Sequence, residues 1–478
     1  MTALTDSARR VLLLAIDSYR HQPETARWLH DQLRRLDEPL RIAIAGKVKA
    51  GKSTLLNALV GERLAPTDAG ECTTIVSWYH EGLSYEVAAI RRDGTTATVP
   101  FTRRDGALVM DIGRLDPAHI ERLDVSWPSS ALRQLTLVDT PGLASLHDEH
   151  SARTREFLAM GDDRPSDADA VIYLMRHLHQ RDAEFLGAFC DRGVVASSPV
   201  NAIGVLSRAD EIGAGRLDAI DSAERVAARY AASADVQALC ATVIPVAGLL
   251  AETGQTWQES EAAAIRTLAA TPIAELALML VSADEFVDPT FSELTIEQRR
   301  VLLSRLGMFG VRFLVTEVTA GRVATAGDMS RALVAKSGLA ALRDHIDRQL
   351  MPRAQVLKDR SAIVALRDVA RRLQPAQPDS AQWLAGEVER VEALMHEFGL
   401  LRAGHLVATG MVTLRPDERA EVAGAMAGAP VATERADALE GLERWRTRGA
   451  DPLADGALTE VAQTMARSYE AAYAALDH

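Results

Sequence analysis

Cysteine is scarce in this sequence and irregularly placed. The chain of 478 residues has three cysteines, Cys72, Cys190 and Cys240, which are widely separated. Their odd number and wide spacing match neither a disulfide framework nor the ligand spacing of a zinc site. We therefore expect free thiols, buried or half-buried, in a reducing compartment.

Long apolar runs are also missing. A membrane-spanning helix needs about 18 to 20 consecutive apolar residues, and the apolar stretches here are interrupted by residues such as Pro272, Arg312 and Arg402. The N-terminal run 11–16 is short and is followed by Asp17, which is not typical of a signal peptide. We expect a cytoplasmic protein, with any membrane contact limited to the periphery.

Positive charge is in deficit. The chain has 53 Lys and Arg against 66 Asp and Glu, a net charge of -13. Binding to nucleic acid needs clustered Lys and Arg that neutralise phosphates, so the overall balance argues against a partner of that kind. Residues 374–478 carry 17 acidic and 9 basic side chains, which makes anionic lipid an unfavourable partner for this part of the chain.

Short apolar runs alternate with helical or loop segments in the first half of the chain. The predicted strands are 41–45, 135–138, 171–175, 202–206 and 242–246. Alternating strands and helices are typical of an α/β domain with a mostly parallel sheet. The length of the chain predicts two or three domains.

Helical periodicity dominates both ends of the chain. Residues 5–20 carry one apolar stripe, with Thr5 or Asp6 available as the N-cap, and a second helix is predicted to end at Pro39. These two helices have no sheet of their own to cover. We expect them to pack with the C-terminal helices as one helical bundle.

The region beyond residue 255 is helical almost throughout, with clear stripes over 384–398 and 458–476. We therefore predict three domains. They are N-terminal helices that join the bundle (1–38), an α/β domain with the mostly parallel sheet (39–254) and a helical neck or stalk domain (255–478).

The first chemical motif is the run GKVKAGKST, which fits G-x-x-x-x-G-K-[ST] from Gly46 to Ser53 and lies between a predicted strand and a predicted helix. Its backbone amides and the helix N-terminus bind phosphate oxygens. Lys52 is expected to reach the β- and γ-phosphates, and the Ser53 hydroxyl to bind Mg²⁺. The predicted nucleotide contacts in this loop are Gly46, Lys47, Lys49, Ala50, Gly51, Lys52, Ser53 and Thr54.

Two further segments are expected to complete the phosphate and metal site. The run LTLVDTPG places Asp139 at a strand end, where its carboxylate holds Mg²⁺ through water, and the Gly142 amide senses the γ-phosphate. The run ECTTIVSWY supplies Thr73 and Thr74. We expect one of them to reach Mg²⁺ and the γ-phosphate, with Thr73 favoured and Thr74 left open.

The run GVLSRADE predicts the choice of base. Ser207, Arg208 and Asp210 match the guanine motif [ST/N]-[KR]-x-D at the end of an apolar strand. The Asp210 carboxylate can accept two hydrogen bonds from guanine, which adenine cannot supply in that arrangement, and the Arg208 stem can cover one face of the ring. Backbone amides near Ala247 and Gly248 are expected to contact the guanine O6.

Two positions bear on catalysis. Leu143 replaces the glutamine that orients water in Ras-like GTPases, and Lys49 adds a second cation to the phosphate loop. The predicted catalytic residues are therefore Lys49, Lys52 and Thr73, with a solvated loop lysine as the alternative for Lys49. His177 and His179 have a spacing that would suit a metal on a strand, but a surface loop is the favoured interpretation.

With these motifs in place, the chain resembles the bacterial dynamin-like proteins, most closely the isoniazid-inducible type. The resemblance rests on GKVKAGKSTLLNALVG, on DAGECTTIVSWY with VDTPG and LSRADEIG, and on SGLAALRDHIDRQLMPRAQVLKDRSAI. It covers about residues 5–370 and weakens beyond them. Val48 and Lys49 stand where eukaryotic dynamins have Gln and Ser, and Lys49 matches the internal arginine finger of guanylate-binding proteins.

The resemblance implies GTP hydrolysis to GDP, with Mg²⁺ as cofactor, stimulated when GTPase domains pair as a homodimer or heteromer. It also implies membrane remodelling or maintenance at the inner face of the plasma membrane. The alternative is a nucleotide-gated partner of a second, longer dynamin-like protein without lipid contact of its own. An RNA-associated GTPase fits the P-loop but not the acidic balance. The apolar tip candidates, 400–414 and 424–431, are more typical of helix packing.

Overall fold

The structure is a computed structural model that describes residues 3–66, 75–104, 107–113, 115–141, 167–176, 201–237, 239–288, 294–373, 377–392, 396–408, 410–426, 429–451 and 454–476. Within these ranges the strands are β1 (Leu40–Gly46), β2 (Ser77–Glu81), β3 (Glu86–Arg91), β4 (Thr96–Thr98), β5 (Phe101–Arg104), β6 (Ala107–Met110), β7 (Ile120–Trp127), β8 (Leu135–Asp139), β9 (Ala170–Met175), β10 (Ala202–Ser207) and β11 (Val243–Val246).

The main sheet has the strand order β11-β10-β9-β1-β8-β2-β7-β3-β4. Strands β11, β10, β9, β1 and β8 are mutually parallel. Each is formed by a nearly continuous apolar run, as expected for strands covered on both faces. These are the five strands that the sequence predicts, and their ends agree within one residue. The α/β fold with a mostly parallel sheet is confirmed.

Strands β2 to β7 were not predicted. Strands β2, β7, β3 and β4 extend the main sheet beyond β8, and β5 and β6 form a separate antiparallel pair. Strand β2 runs antiparallel to β8 and parallel to β7, whereas β3 runs antiparallel to both β7 and β4. In β3, Val87 and Ala89 are buried while Glu86 is exposed. Such short strands with one solvated face alternate in polarity, so they give no continuous apolar run.

The helices within the described residues are α1 (Ala3–Ser18), α2 (Pro23–Arg35), α3 (Lys52–Val60), α4 (Ala219–Ala231), α5 (Ala234–Gln237), α6 (Gly248–Gln255), α7 (Glu259–Ala270), α8 (Ile273–Met279), α9 (Ala283–Phe286), α10 (Ile296–Thr319), α11 (Ala326–Lys336), α12 (Leu339–His345), α13 (Ala354–Leu373), α14 (Pro378–Glu392), α15 (His396–Ala408), α16 (Pro416–Met426), α17 (Arg435–Gly449) and α18 (Gly456–Ala475). A π-helix (Ile346–Leu350) and a 3₁₀ turn (Met351–Arg353) connect α12 with α13.

The predicted bundle of N-terminal and C-terminal helices is present. Helix α1 packs against α13 and α14, and α2 packs against α13. The predicted capping role of Thr5 is wrong, because α1 begins before it and the Thr5 hydroxyl donates to Oδ2 of Asp359 at 2.7 Å. Helix α2 ends at Arg35 rather than at Pro39. The amides of the next residues donate hydrogen bonds to carbonyl oxygens three residues earlier, instead of four as in an α-helix.

Helices α7, α10 and α11 share a core with the parallel strands. Leu268, Leu306 and Leu333 are buried in the same apolar cluster as Val171 and Leu206 of the sheet. Burial on this scale stabilises the contact by about 25 cal/mol per Å² of apolar surface removed from water. The domain boundary at residue 254 stays a prediction, since helices on its C-terminal side contribute to this core.

Helices α15 to α18 enclose a smaller core of their own. The predicted stripe over 384–398 is divided between α14 and α15, whereas the stripe over 458–476 forms α18, with Val461, Met465 and Tyr469 buried. Val412 and Leu414 are 4% exposed. The segment 400–414 therefore packs inside this bundle within the part of the chain that the structure describes.

Candidate nucleotide-binding site

The phosphate loop connects β1 with α3. The backbone at Gly46 passes so close to β9 that a Cβ at this position would lie 2.6 Å from the carbonyl oxygen of Leu174, so only glycine fits. Gly51 precedes the first turn of α3 with a φ of 94°. The Ala50 amide donates to the Lys47 carbonyl at 3.1 Å, which closes the loop. The predicted strand-loop-helix context is confirmed.

Lys52 points back into this loop. Its ammonium group donates to the carbonyl oxygens of Gly46 at 3.3 Å and Lys47 at 3.4 Å. Burial lowers the pKa of Lys52, and the nearby Asp139 carboxylate opposes that shift. A cation held by loop carbonyls beside a helix N-terminus is suited to binding phosphate.

Ser53 and Asp139 meet at the carboxyl ends of the central strands. The Ser53 hydroxyl donates to Oδ2 of Asp139 at 2.7 Å. The other carboxylate oxygen, Oδ1, is buried and has no hydrogen-bond partner among the described residues. Burial raises the pKa of Asp139, and Lys52 and Ser53 oppose the rise. A buried carboxylate oxygen without a donor fits a cation ligand.

The guanine motif lies at the end of β10. The Ser207 hydroxyl donates to the Met175 carbonyl at 3.2 Å, which ties the motif to β9. Arg208 has a φ of 54°, and its guanidinium donates to the Lys49 carbonyl at 2.8 Å and to Oε1 of Glu211 at 2.6 Å. The Arg208 side chain therefore contacts the phosphate loop as well as its own turn.

Asp210 is 5% exposed. Burial raises its pKa to about 6, with the Glu211 carboxylate adding to the rise. A kink in α10 approaches it from outside the motif, because Gly307 has a φ of 61° and a Cβ there would lie 3.7 Å from Oδ2 of Asp210.

A single cleft of about 150 Å³ brings the phosphate loop and the guanine motif together. Its lining residues are Ala50, Gly51, Thr54, Leu55, Leu174, Val205, Ser207, Arg208, Asp210, Glu211, Val246, Gly248 and Leu249. The lining combines polar side chains, among them Ser207 and Asp210, with apolar ones such as Leu174 and Val205. A planar base with hydrogen-bonding edges requires both kinds of contact.

The predicted contact at Ala247 needs correction. Ala247 is fully buried, and its amide donates to the Ser337 carbonyl at 2.8 Å, so the group expected to reach the guanine O6 is engaged elsewhere. Gly248, the first residue of α6, does line the cleft.

Several predicted residues lie outside the described residues. They are Thr73, Thr74, Gly142, Leu143, His177 and His179. Lys49 is described: it is exposed at the rim of the loop, with a φ of 62°. Sequence reasoning missed the apolar wall formed by Leu174, Val205 and Leu249, because buried strand and helix residues carry no base-binding signature.

Comparisons with known proteins identify the family of this chain. The sequence profile of the dynamin family matches residues 42–186. The isoniazid-induced protein IniC of Mycobacterium tuberculosis is 39% identical over 491 residues, covering 98% of this chain and 98% of that protein. The isoniazid-induced protein IniA of the same organism is 35% identical over 133 residues, covering 26% of this chain and 20% of that protein.

A bacterial dynamin-like protein of Nostoc punctiforme is 27% identical over 151 residues, covering 28% of this chain and 20% of that protein. The match to IniC extends over nearly the whole length of both chains, and the shorter matches support the same assignment. The chain therefore belongs to the dynamin family, and it is a GTPase that hydrolyses GTP.

Proposed function

We propose that this GTPase couples GTP hydrolysis to the pairing of two GTPase domains across the nucleotide, as a homodimer or a heteromer. The observation that carries the proposal is the rim of the cleft. Val48 is 51% exposed beside the exposed Lys49, and the Arg208–Glu211 pair lies next to them. An exposed apolar side chain within a charged rim is typical of an interface that forms and separates.

Mg²⁺ is the proposed cofactor, with Ser53, Asp139 and Thr73 as the residues that hold it. The paired hydroxyl and carboxylate fit a hard cation, together with Oδ1 of Asp139, which has no hydrogen-bond partner within the described ranges. When bound in GTPases of this class, Mg²⁺ neutralises charge on the β- and γ-phosphates. Thr73 and the Gly142 amide stay proposals on the sequence motif alone.

Asp210 is the proposed reader of guanine, with the Arg208 stem beside the base and Gly248 at the opposite wall. A buried carboxylate at a cleft discriminates strongly, because a base without the matching donors leaves it unpaired. Lys52 binds the phosphates, and Lys49 supplies charge from the loop itself.

We further propose that the protein acts in membrane remodelling or maintenance, in the cytoplasm and at the inner face of the plasma membrane. This part of the proposal rests on the chain's membership of the dynamin family. Among the described residues, no helix is long and apolar enough to cross a bilayer. Any contact with lipid is therefore peripheral in this proposal.

A second candidate function is a nucleotide-gated partner of a longer dynamin-like protein, without lipid contact of its own. The burial of Val412 and Leu414 favours it, since these side chains of a suggested tip are packed in the core of α15 to α18. The excess of acidic over basic residues in 374–478, 17 against 9, also opposes binding to anionic headgroups.

Two measurements test these proposals. Turnover per molecule is measured from nanomolar to tens of micromolar protein, with the oligomeric state followed by light scattering, and pairing predicts a rise with concentration. A flat specific activity in a monomeric protein would overturn it.

Flotation with anionic vesicles, with and without GTP, separates the two functions: nucleotide-dependent flotation of the chain alone supports the membrane role, and its absence supports the partner role.

A further inference from the structure

An apolar ridge is exposed on α8 and the turn that follows it. We define the α8 ridge as Ile273, Leu278 and Val281, which are 84%, 56% and 64% exposed. Met279, in the same helix, is fully buried and anchors α8 to the core shared with the sheet. Three strongly exposed, large apolar side chains within nine residues, on an anchored helix and the turn after it, are typical of a surface that binds a partner.

A groove adjoins the ridge. It has a volume of about 680 Å³ and lies between α7 and the start of α8. Its lining residues are Ala263, Arg266, Thr267, Ala270, Thr271, Pro272 and Glu275. Because small side chains line most of this groove, a partner helix or strand can approach its floor closely while its apolar side chains contact the ridge.

Charge decides which kind of partner fits. Residues 271–288 contain four acidic side chains and no Lys or Arg, and Asp284 and Glu285 are exposed. Arg266, on the groove wall, is paired with Glu259 at 2.5 Å. Arg312 adds one cation at the C-terminal end of the ridge, so the four carboxylates remain in excess. An anionic lipid surface is therefore unfavourable here, whereas a protein segment with Lys or Arg beside its apolar side chains would be attracted.

Arg312 connects the ridge to the guanine motif. Its guanidinium donates to the carbonyl oxygens of Leu280 at 2.7 Å and Val281 at 2.8 Å, at the C-terminal end of the ridge. The same group donates to the carbonyl oxygens of Ala214 at 3.1 Å and Gly215 at 2.7 Å, in the loop that follows Asp210. One planar fork therefore holds both segments.

The loop in turn lies against Asp210. A Cβ on Gly215 would be 3.6 Å from the Asp210 carbonyl oxygen and 3.3 Å from the amide nitrogen of Phe309, so the loop fits closely between the motif and α10. Ala214 has a φ of 60°, a left-handed conformation that is unfavourable for a residue with a side chain. Such a turn keeps its shape only while its contacts hold.

We propose that the α8 ridge is a docking surface for a protein segment whose apolar side chains are flanked by Lys or Arg, and that Arg312 makes docking depend on the bound nucleotide. The docking surface is inferred from the exposure of the α8 ridge, the adjoining groove and the acidic side chains around them. The dependence on nucleotide rests on the proposed guanine site.

The test uses the full chain and a fluorescein-labelled amphipathic helical peptide of leucine and lysine, with a leucine-glutamate peptide for comparison. Binding is measured by anisotropy for the wild type, for Ile273→Asp with Leu278→Asp, and for Leu83→Asp. Leu83 is the matched control, because it is fully exposed and lies in the turn between β2 and β3, distant in sequence from the α8 ridge. Thermal melting and GDP affinity of each variant check folding.

We expect the ridge variant to bind the lysine peptide at least tenfold more weakly, although it carries two more negative charges, and Leu83→Asp to bind as the wild type does. Unchanged or tighter binding by the ridge variant would show attraction by net charge alone and overturn the docking surface. Flotation on phosphatidylserine vesicles that the ridge variant abolishes would also overturn it, in favour of a membrane contact.

The coupling is tested with a non-hydrolysable GTP analogue. In the wild type, we expect peptide affinity with the analogue bound to differ at least threefold from peptide affinity with GDP bound. In Arg312→Lys, which keeps the charge but loses the planar guanidinium, we expect the two affinities to be the same. If the wild type binds both nucleotides but its peptide affinity is the same with each, the coupling is overturned and the docking surface is not. Failure to bind guanine nucleotides, seen directly by fluorescence of a labelled GDP, contradicts the proposed site instead.

Discussion

The carbonyl oxygen of Lys49 accepts a hydrogen bond of 2.8 Å from Nη2 of Arg208. The bond joins the phosphate loop to the guanine motif, and both residues have a positive φ, 62° and 54°. Nη1 of the same guanidinium donates to Glu211. Because the donors of a guanidinium form a rigid fork, this contact sets the distance between the group that binds phosphate and the group that reads the base.

Arg208→Lys keeps the positive charge but removes the fork. We expect GTP to bind about five to ten times more weakly, the effect of one hydrogen bond worth about 1 to 1.5 kcal/mol. The measurement is a titration with a fluorescent GTP analogue. Arg176→Lys is the control, since Arg176 pairs with the same Glu211 at 2.7 Å and, among the described residues, forms no hydrogen bond with the phosphate loop. Equal losses in both variants would contradict the role of the Lys49 contact.

Removal of Mg²⁺ is expected to speed nucleotide release, and this effect should depend on the Ser53 hydroxyl as a metal ligand. In the wild type, chelation with EDTA should speed dissociation of a fluorescent GDP, because Ser53 and Asp139 then no longer hold a cation. Ser53→Ala should dissociate GDP quickly even with Mg²⁺, and EDTA should add little. Stopped-flow chase with unlabelled GDP gives both rates. A chelation effect as large in Ser53→Ala as in the wild type would remove Ser53 from the metal site.

The sequence predicts the parts of the fold and site whose signal is local. Strands β1 and β8 to β11 are continuous apolar runs, and Gly46, Lys52, Asp139 and Asp210 belong to motifs with fixed spacing. Each of these signals lies within a few residues along the chain. For that reason the sheet that carries the site and the order of its motifs could be read before the structure was known.

The remaining features depend on contacts between distant segments. The kink at Gly307 approaches Asp210 only because α10 packs on the sheet, and the Ala247 amide is occupied only because Ser337 folds against it. No pattern within a window of residues encodes either contact. Thr5 shows the same effect, since its hydroxyl binds Asp359 instead of capping its own helix.

Asp210→Asn is expected to change the base and the stability together. The amide should weaken GTP binding and improve binding of xanthosine triphosphate, whose altered edge suits an amide. The carboxyl pKa is raised to about 6 in the folded chain from 3.8, so ionised Asp210 destabilises the nucleotide-free protein above pH 6, and that penalty disappears as the pH falls toward 4. The variant should therefore melt higher at pH 7.5, because its free energy of unfolding is larger by on the order of 3 kcal/mol.

The difference in melting temperature between Asp210→Asn and the wild type should shrink between pH 7.5 and pH 5. Asp218→Asn is the control, because Asp218 is exposed and pairs with Arg216 at 3.3 Å. A gap that stays constant with pH, or one that Asp218→Asn reproduces, would show that burial of the Asp210 charge is not its cause.

Lys49 is expected to act on turnover rather than on binding. Its side chain is exposed at the rim of the phosphate loop, and a cation there can stabilise the charge that develops on the transferring phosphoryl group. Lys49→Ala should lower kcat tenfold or more, about 1.4 kcal/mol in the barrier, while GTP affinity changes little. Lys52→Ala should instead weaken binding, since its ammonium lies inside the loop against Gly46 and Lys47.

The positive φ of Lys49 allows its charge to be separated from its backbone. Lys49→Gly removes the charge and also relieves a conformation that disfavours side chains, so it should melt at or above the wild type and still lose turnover. Single-turnover hydrolysis and a GTP titration measure the two effects on each variant. If Lys49→Gly hydrolyses GTP at the wild-type rate, the ammonium group is not needed for the reaction and Lys49 is a solvated loop lysine. If both Lys49→Ala and Lys49→Gly are slow with unchanged affinity, the ammonium group itself supports the reaction.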